Sequence, residues 1–164
     1  MPHYLVTGAS SGIGAALATA LLRRGDKVTA MARREDRLAA LDDSSGNFHG
    51  SACDVTDAAA LATAIEDAVE KQGPVDCAIL NAGMYVPQDS LKIDPAVYAR
   101  HMDVNYMGVV NALPPLIAGM AARRSGQIAI VSSVAGWRGL PKAAAYGPTL
   151  SLIHISEPTR LERI

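Results

Sequence analysis

The sequence predicts an α/β fold, a doubly wound parallel sheet of about five strands in the order 3-2-1-4-5 with helices on both faces. Three observations predict it. Short β-branched and aliphatic runs alternate with longer Ala/Leu-rich segments of helical period. Several of the short runs, AILN and IAIVSS among them, are apolar throughout, as strands covered by helices on both faces must be. A glycine-rich turn joins the first run to the first helical segment.

Strands are expected over residues 4–7, 27–31, 48–52, 76–80 and 127–132. A first helix is expected over 11–24, where Ile13, Leu17, Ala20, Leu21 and Arg24 keep helical spacing and Gly25 ends the pattern. A second is expected over 57–72, with Leu61, Ile65, Ala68 and Val69 on one stripe, Thr56 as N-cap and Gly73-Pro74 as the stop. A third is expected over 103–124; its last turn is basic, which suits the helix dipole, and Pro114 and Pro115 should bend it.

A length of 164 residues with 49% hydrophobic content fits one globular domain. A net charge of -1 generates no field that would gather nucleic acid or anionic lipid, so neither partner is expected and any phosphate site must be local. The opening MPHYLVTG has no signal-peptide pattern, and no apolar run approaches the roughly 20 residues that cross a bilayer; a cytoplasmic protein is expected. Cys53 and Cys77 sit in or beside predicted strands without CxxC spacing or a well-placed histidine. They are expected to be reduced core thiols rather than metal ligands.

After the first strand stands the turn Thr7, Gly8, Ala9, Ser10, Ser11, Gly12, Ile13, Gly14. Gly8 permits a tight turn, Gly12 removes the side chain that would hold a diphosphate away, and Gly14 lets helix and strand approach. The amides and positive end of the following helix would then meet the phosphates. A nucleoside-triphosphate loop is disfavoured because no Lys-Ser or Lys-Thr pair follows the last glycine.

With its TGxxxGxG turn, the chain resembles the short-chain dehydrogenase/reductase family, whose fold is of Rossmann type. Further elements follow in the expected order. Asp54 and Val55 match the family's adenine-holding segment after the third strand; a helix cap is the alternative for Asp54. Asn81, Ala82 and Gly83 match its NAG element beside the cofactor; the alternative is an ordinary turn. The second strand ends in Ala32-Arg33-Arg34, where members that use NAD(H) usually carry an acidic residue. An arginine fork binds a 2′-phosphate through charge-assisted hydrogen bonds, so NADP(H) is favoured over NAD(H), with Arg33 first and Arg34 second. Both arginines could instead be solvated at the next helix start.

The resemblance also implies catalytic roles for Asn105 in NYMG, Ser133 in SSVAG and Tyr146 in AAAYG. The implied chemistry is hydride exchange between nicotinamide and a small-molecule alcohol or carbonyl substrate, Tyr146 moving the oxygen-bound proton and Ser133 steadying the oxygen. A free tyrosine, with a pKa of about 10, is a poor base, and the family lysine four positions later lowers that barrier. Here that position is Leu150. From Leu150 to Arg160 the chain reads LSLIHISEPTR, which resembles a translated transposon-end adapter of the kind joined to DNA for sequencing. Residues 1–149 are therefore expected to be the dinucleotide-binding part of a longer, homo-oligomeric enzyme, residues 150–164 a non-native tail, and the chain itself inactive. His154 is given no catalytic role. The alternatives are a non-catalytic dinucleotide-binding module and, less well matched because it explains neither Ser133 nor Tyr146, a Rossmann-type methyl-donor site.

Overall fold

The computed structural model describes residues 1–89 and 91–156, the last three of these by backbone alone. The expected tail beyond residue 156 lies outside the described residues, as does the His154 side chain. The chain divides into two compact units, Met1–Ala82 with Met107–Val131, and Gly83–Tyr106 with Ser132 onward.

The first unit holds the whole sheet. Its strands are β1 (His3–Thr7), β2 (Lys27–Ala32), β3 (Phe48–Ala52), β4 (Cys77–Leu80) and β5 (Gln127–Ile130), all parallel and in the expected order β3-β2-β1-β4-β5. Helices α1 (Gly12–Arg23), α2 (Glu35–Ala39), α3 (Ala58–Gln72) and α5 (Gly108–Arg123) pack with it. On one face Val6, Val28, Ala30 and Ala32 form a buried cluster with Ala18, Leu21 and Leu22 of α1 and Leu38 of α2. Leu61, Ile65 and Ala68 of α3 and Val109, Ala112 and Leu116 of α5 are also buried, α5 lying against α3 and β4. Burial of side chains such as these stabilises by roughly 1.5–3 kcal/mol each for the larger ones.

Two expectations are corrected. Thr56 does not cap α3; Asp57 does, its carboxylate accepting from the Ala60 amide at 2.9 Å, because the helix starts one residue later. The third helix begins not at residue 103 but at Pro95. α4 (Pro95–His101), capped by Asp94, runs through a π-helical segment, Met102–Met107, into α5. Pro114 and Pro115 do lie inside α5. A helix does start beside Arg33 and Arg34, the short α2, with Arg34 as its N-cap. Among the described residues, the helical run Pro95–Arg123 is long and apolar enough to cross a membrane by length and composition, though α5 spends its apolar face on α3 and β4.

In the second unit α4 packs against α6 (Tyr146–Ser156), and a short 3-10 turn, Val134–Gly136, lies along α6. The contact is close because glycines stand at the crossing: a Cβ on Gly147 would come within 2.9 Å of the Ala135 carbonyl oxygen, and one on Gly136 within 2.9 Å of Leu150 backbone.

Candidate functional site

In the first unit the glycine turn is anchored from two sides. Thr7, buried at the end of β1, accepts through Oγ1 from the amides of Asn81 and Ala82, both at 3.0 Å. Asn81 Nδ2 donates to the Thr7 carbonyl at 3.1 Å, and the Ala9 amide donates to the Met31 carbonyl at the same distance. Gly8 and Gly12 take left-handed φ of 69° and 56°. Gly14 is buried where a Cβ would stand 2.5 Å from the Gly8 carbonyl oxygen. At Gly12 a Cβ would meet nothing within 4 Å. Ser11, Gly12 and Ile13 are exposed, and Ser11 precedes α1 without a side-chain cap bond, so the opening of that helix faces open space.

Ser11 is otherwise engaged. Arg34, at the N-cap of α2, donates from Nη2 to Ser10 Oγ at 2.8 Å and to Ser11 Oγ at 2.9 Å. Its guanidinium thereby stands at the rim of the turn. Arg33 lies beside Asp54, Nη1 to Oδ2 at 3.8 Å, with its side chain largely exposed. Asp54 accepts from the Thr56 amide and hydroxyl at 3.0 and 2.9 Å. Those bonds, with Arg33 adding its charge, hold the Asp54 carboxyl below the usual carboxylate range. Val55 is buried and its carbonyl accepts from Asn111 at 3.0 Å. Gly8, Ser10, Ser11, Gly12, Ile13, Gly14, Arg33, Arg34, Asp54, Val55, Asn81 and Ala82 therefore all belong to one unit, at the carboxyl ends of the strands, where ligands enter open α/β sheets. A dinucleotide's diphosphate fits the observed turn, because the space over Gly12 is open and a helix start points into it.

Cys53 is buried and Cys77 half-buried; both are free, and burial pushes both thiols up, away from the reactive thiolate. Among the described residues no group of three His, Cys, Asp or Glu side chains gathers as a metal site.

Gly83 and the three remaining candidates belong to the second unit. Asn105, 2% exposed, sits in the π-helical segment. Its Oδ1 accepts from the Met84 amide at 2.7 Å, and its Nδ2 donates to the Met84 carbonyl and to Thr149 Oγ1, both at 3.1 Å. Thr149 in turn donates to the Tyr146 carbonyl at 2.7 Å, which links Asn105 to the first turn of α6. Ser133 caps the 3-10 turn, Oγ accepting from the Ala135 amide at 3.2 Å. Tyr146 opens α6, half-buried, its ring 5.1 Å from that of Tyr85 and 6.4 Å from that of His101, centroid to centroid. Leu150, one helical turn on, is buried. The sequence reading missed Thr149, Tyr85 and His101. His101 carried a usable signal, since it stands four residues before Asn105 and so shares its helical face.

The family model described as short chain dehydrogenase matches residues 2–149. The chain is 37% identical over 151 residues to an uncharacterized oxidoreductase of Listeria innocua, covering 88% of the chain and about 60% of that relative. Among solved structures it resembles serine dehydrogenase from Escherichia coli at a TM-score of 0.88 and 27% identity, covering 94% of this chain and 72% of that one. It also resembles the closed form of serine dehydrogenase complexed with NADP+, at 0.86 and 26%, covering 94% and 63%. The parallel five-stranded sheet, the anchored glycine turn and the match over nearly the whole described length place this chain in the short-chain dehydrogenase/reductase family.

Proposed function

We propose that the first unit binds NADP(H) and that the parent protein is an oxidoreductase interconverting a small alcohol and its carbonyl. The observation that carries this is the glycine turn, open over Gly12 and flanked by Arg34 on the hydroxyls of Ser10 and Ser11. Bound there, the dinucleotide supplies or accepts a hydride at its nicotinamide. The amides from Ser11 to Gly14 hold the diphosphate. Arg34 and Arg33 offer guanidinium donors to a 2′-phosphate; Arg34 is already oriented by the two serines, and Arg33 is tethered to Asp54, which with Val55 borders the adenine. Asn81, Ala82 and Gly83 line the cofactor's path. The NADP+ complex of serine dehydrogenase supports the choice of phosphate form.

In the second unit Tyr146 carries the proton to or from the substrate oxygen, Ser133 steadies that oxygen, and Asn105 fixes the surrounding backbone. Leu150 offers neither charge nor hydrogen bond where the family pattern has lysine. The proton-transfer contribution at stake is on the order of 10²–10⁴ in rate, so the 164-residue chain turns over negligibly. Residues from Leu150 onward are foreign to the family pattern, and the parent acts in the cytoplasm as a homo-oligomer without nucleic-acid or membrane partners.

Titration of the purified chain with NADPH and NADH tests this. NADPH binds at least about tenfold more tightly, the scale of one charge-assisted pair. Arg34→Ala removes most of that margin and leaves NADH affinity within about twofold, as a phosphate-specific contact must. Equal affinity for both cofactors overturns the phosphate assignment, and binding of neither overturns the dinucleotide site. Burial of Leu150 favours one other reading, a non-catalytic dinucleotide-binding module. Leu150→Lys decides between them: a gain in NADPH-dependent carbonyl reduction supports the enzyme, and unchanged binding without turnover supports the module.

A further inference from the structure

His101 is fully buried, at 0% exposure, and has no part in the proton transfer assigned to Tyr146. Its ring is held at both nitrogens. Nδ1 lies 2.7 Å from the Val97 carbonyl oxygen, which can only accept, and Nε2 lies 3.1 Å from the Val86 amide, which can only donate. The partners therefore require a neutral ring with its proton on Nδ1.

The grip on Val86 has a companion. Asn105, four residues after His101, takes both the amide and the carbonyl of Met84. His101 and Asn105 together hold segment 84–86 through backbone groups at alternate residues, Met84 and Val86, with side chains as the partners. Tyr85 lies between the two grips, and its ring stands 5.1 Å from that of Tyr146, inclined at 57°. The His101 ring meets Tyr146 as well, edge to face, at 6.4 Å and 71°. Both geometries fall in the range that aromatic pairs favour.

We infer that His101 is a positioning residue for Tyr146: it fixes Val86 so that Tyr85 stays against the Tyr146 ring, and it braces that ring through their edge-to-face contact. The inference rests on the assignment of Tyr146 as proton carrier, because only then does the setting of the phenol matter to chemistry. Family membership does not supply it; the two hydrogen bonds and the two ring contacts do.

Nuclear magnetic resonance on the 164-residue chain tests it without turnover. Nitrogen-15 spectra of the unaltered chain should show the His101 ring neutral and protonated at Nδ1; a proton on Nε2 overturns the proposal with no substitution made. His101→Phe keeps a ring of similar size and loses both hydrogen bonds. In that variant the Val86 amide should exchange at least about tenfold faster, the scale of losing one hydrogen bond of about 1.4 kcal/mol. The Tyr146 ring signals, assigned through Tyr146→Phe, should shift, and cross-relaxation between Tyr85 and Tyr146 should weaken. His101→Gln, which retains a donor and an acceptor, should restore most of both. Faster Val86 exchange with Tyr146 signals unmoved would reduce His101 to a structural residue and overturn the proposal. Failure to bind NADPH would instead strike the oxidoreductase assignment and leave these ring signals as they are, so the two can fail separately.

Discussion

Gly12 and Gly14 stand two residues apart in one turn, and a methyl group should act differently at each. At Gly14 the new carbon would lie 2.5 Å from the Gly8 carbonyl oxygen and 2.6 Å from Asn81 Nδ2. The first is backbone, and the second is tied to Thr7, so neither can yield cheaply. Gly14→Ala should cost about 2 kcal/mol, typical of overpacking, and lower the midpoint of thermal unfolding seen by calorimetry. At Gly12 there is no clash, only a left-handed φ of 56°, which costs a side chain about 1 kcal/mol. Its methyl group would enter the space assigned to the diphosphate. Gly12→Ala should therefore lose about tenfold or more in NADPH affinity with a smaller loss of stability; retained affinity would remove the diphosphate from that position. Both glycines were legible in the sequence because the turn's backbone demands them locally. The Arg34 hydrogen bonds to Ser10 and Ser11 were not, since partners 24 and 23 residues away leave no local pattern. Thr149, whose partner Asn105 is 44 residues distant, was hidden for the same reason.

Elements were legible where their period was unbroken. All five strands appear within two residues of the expected ends, most plainly at β2 and β4 inside the sheet, where mostly apolar runs are buried or half-buried. The long helix was misjudged where it departs from 3.6 residues per turn. Its π-helical segment shifts the phase of the pattern, and the buried polar residues His101 and Asn105 make an inward face look solvated. Asp94-Pro95, an N-cap followed by a first-turn proline, was the missed start signal. Burial has a titratable consequence in β1. His3 is 1% exposed, with Nδ1 donating to the Gly73 carbonyl at 2.7 Å and Nε2 accepting from Thr29 Oγ1 at 2.9 Å. Burial outweighs the carbonyl bond and the nearby Asp76 charge, and holds the imidazole below the ordinary value of 6.5. The folded chain thus refuses a proton that the unfolded chain accepts. Above pH 6.5 the His3 contribution is constant; as pH falls below 6.5 the unfolded state gains protons first, and stability drops until the folded imidazole titrates too. Unfolding free energies from urea titrations between pH 7.5 and about 5 should fall toward acid with a slope of at most about 1.4 kcal/mol per pH unit from this group. His3→Gln should flatten that part of the curve. An equally steep acid limb in the variant would assign it to other groups.

At the scale of the molecule the sheet ends in β3 on one side and β5 on the other. β5 reads QIAI, with Ile128 and Ile130 half-buried, Gln127 and Ala129 exposed, and no charge or proline to discourage a further strand. The chain as a whole carries a net charge of -1 and a pI near 6.4, so long-range repulsion between copies is small around neutral pH. Both features promote self-association, and they can be separated at Ala129. Ala129→Lys brings the net charge to 0 and Ala129→Glu to -2, while each sets one charge on the exposed face of the edge strand. If edge pairing drives association, both variants should scatter less light than the parent chain at equal concentration, because either charge must be desolvated when a strand docks. If weak repulsion is the cause, only the glutamate variant should improve and the lysine variant should worsen. Scattering unchanged in both would show that β5 is not the surface through which copies meet.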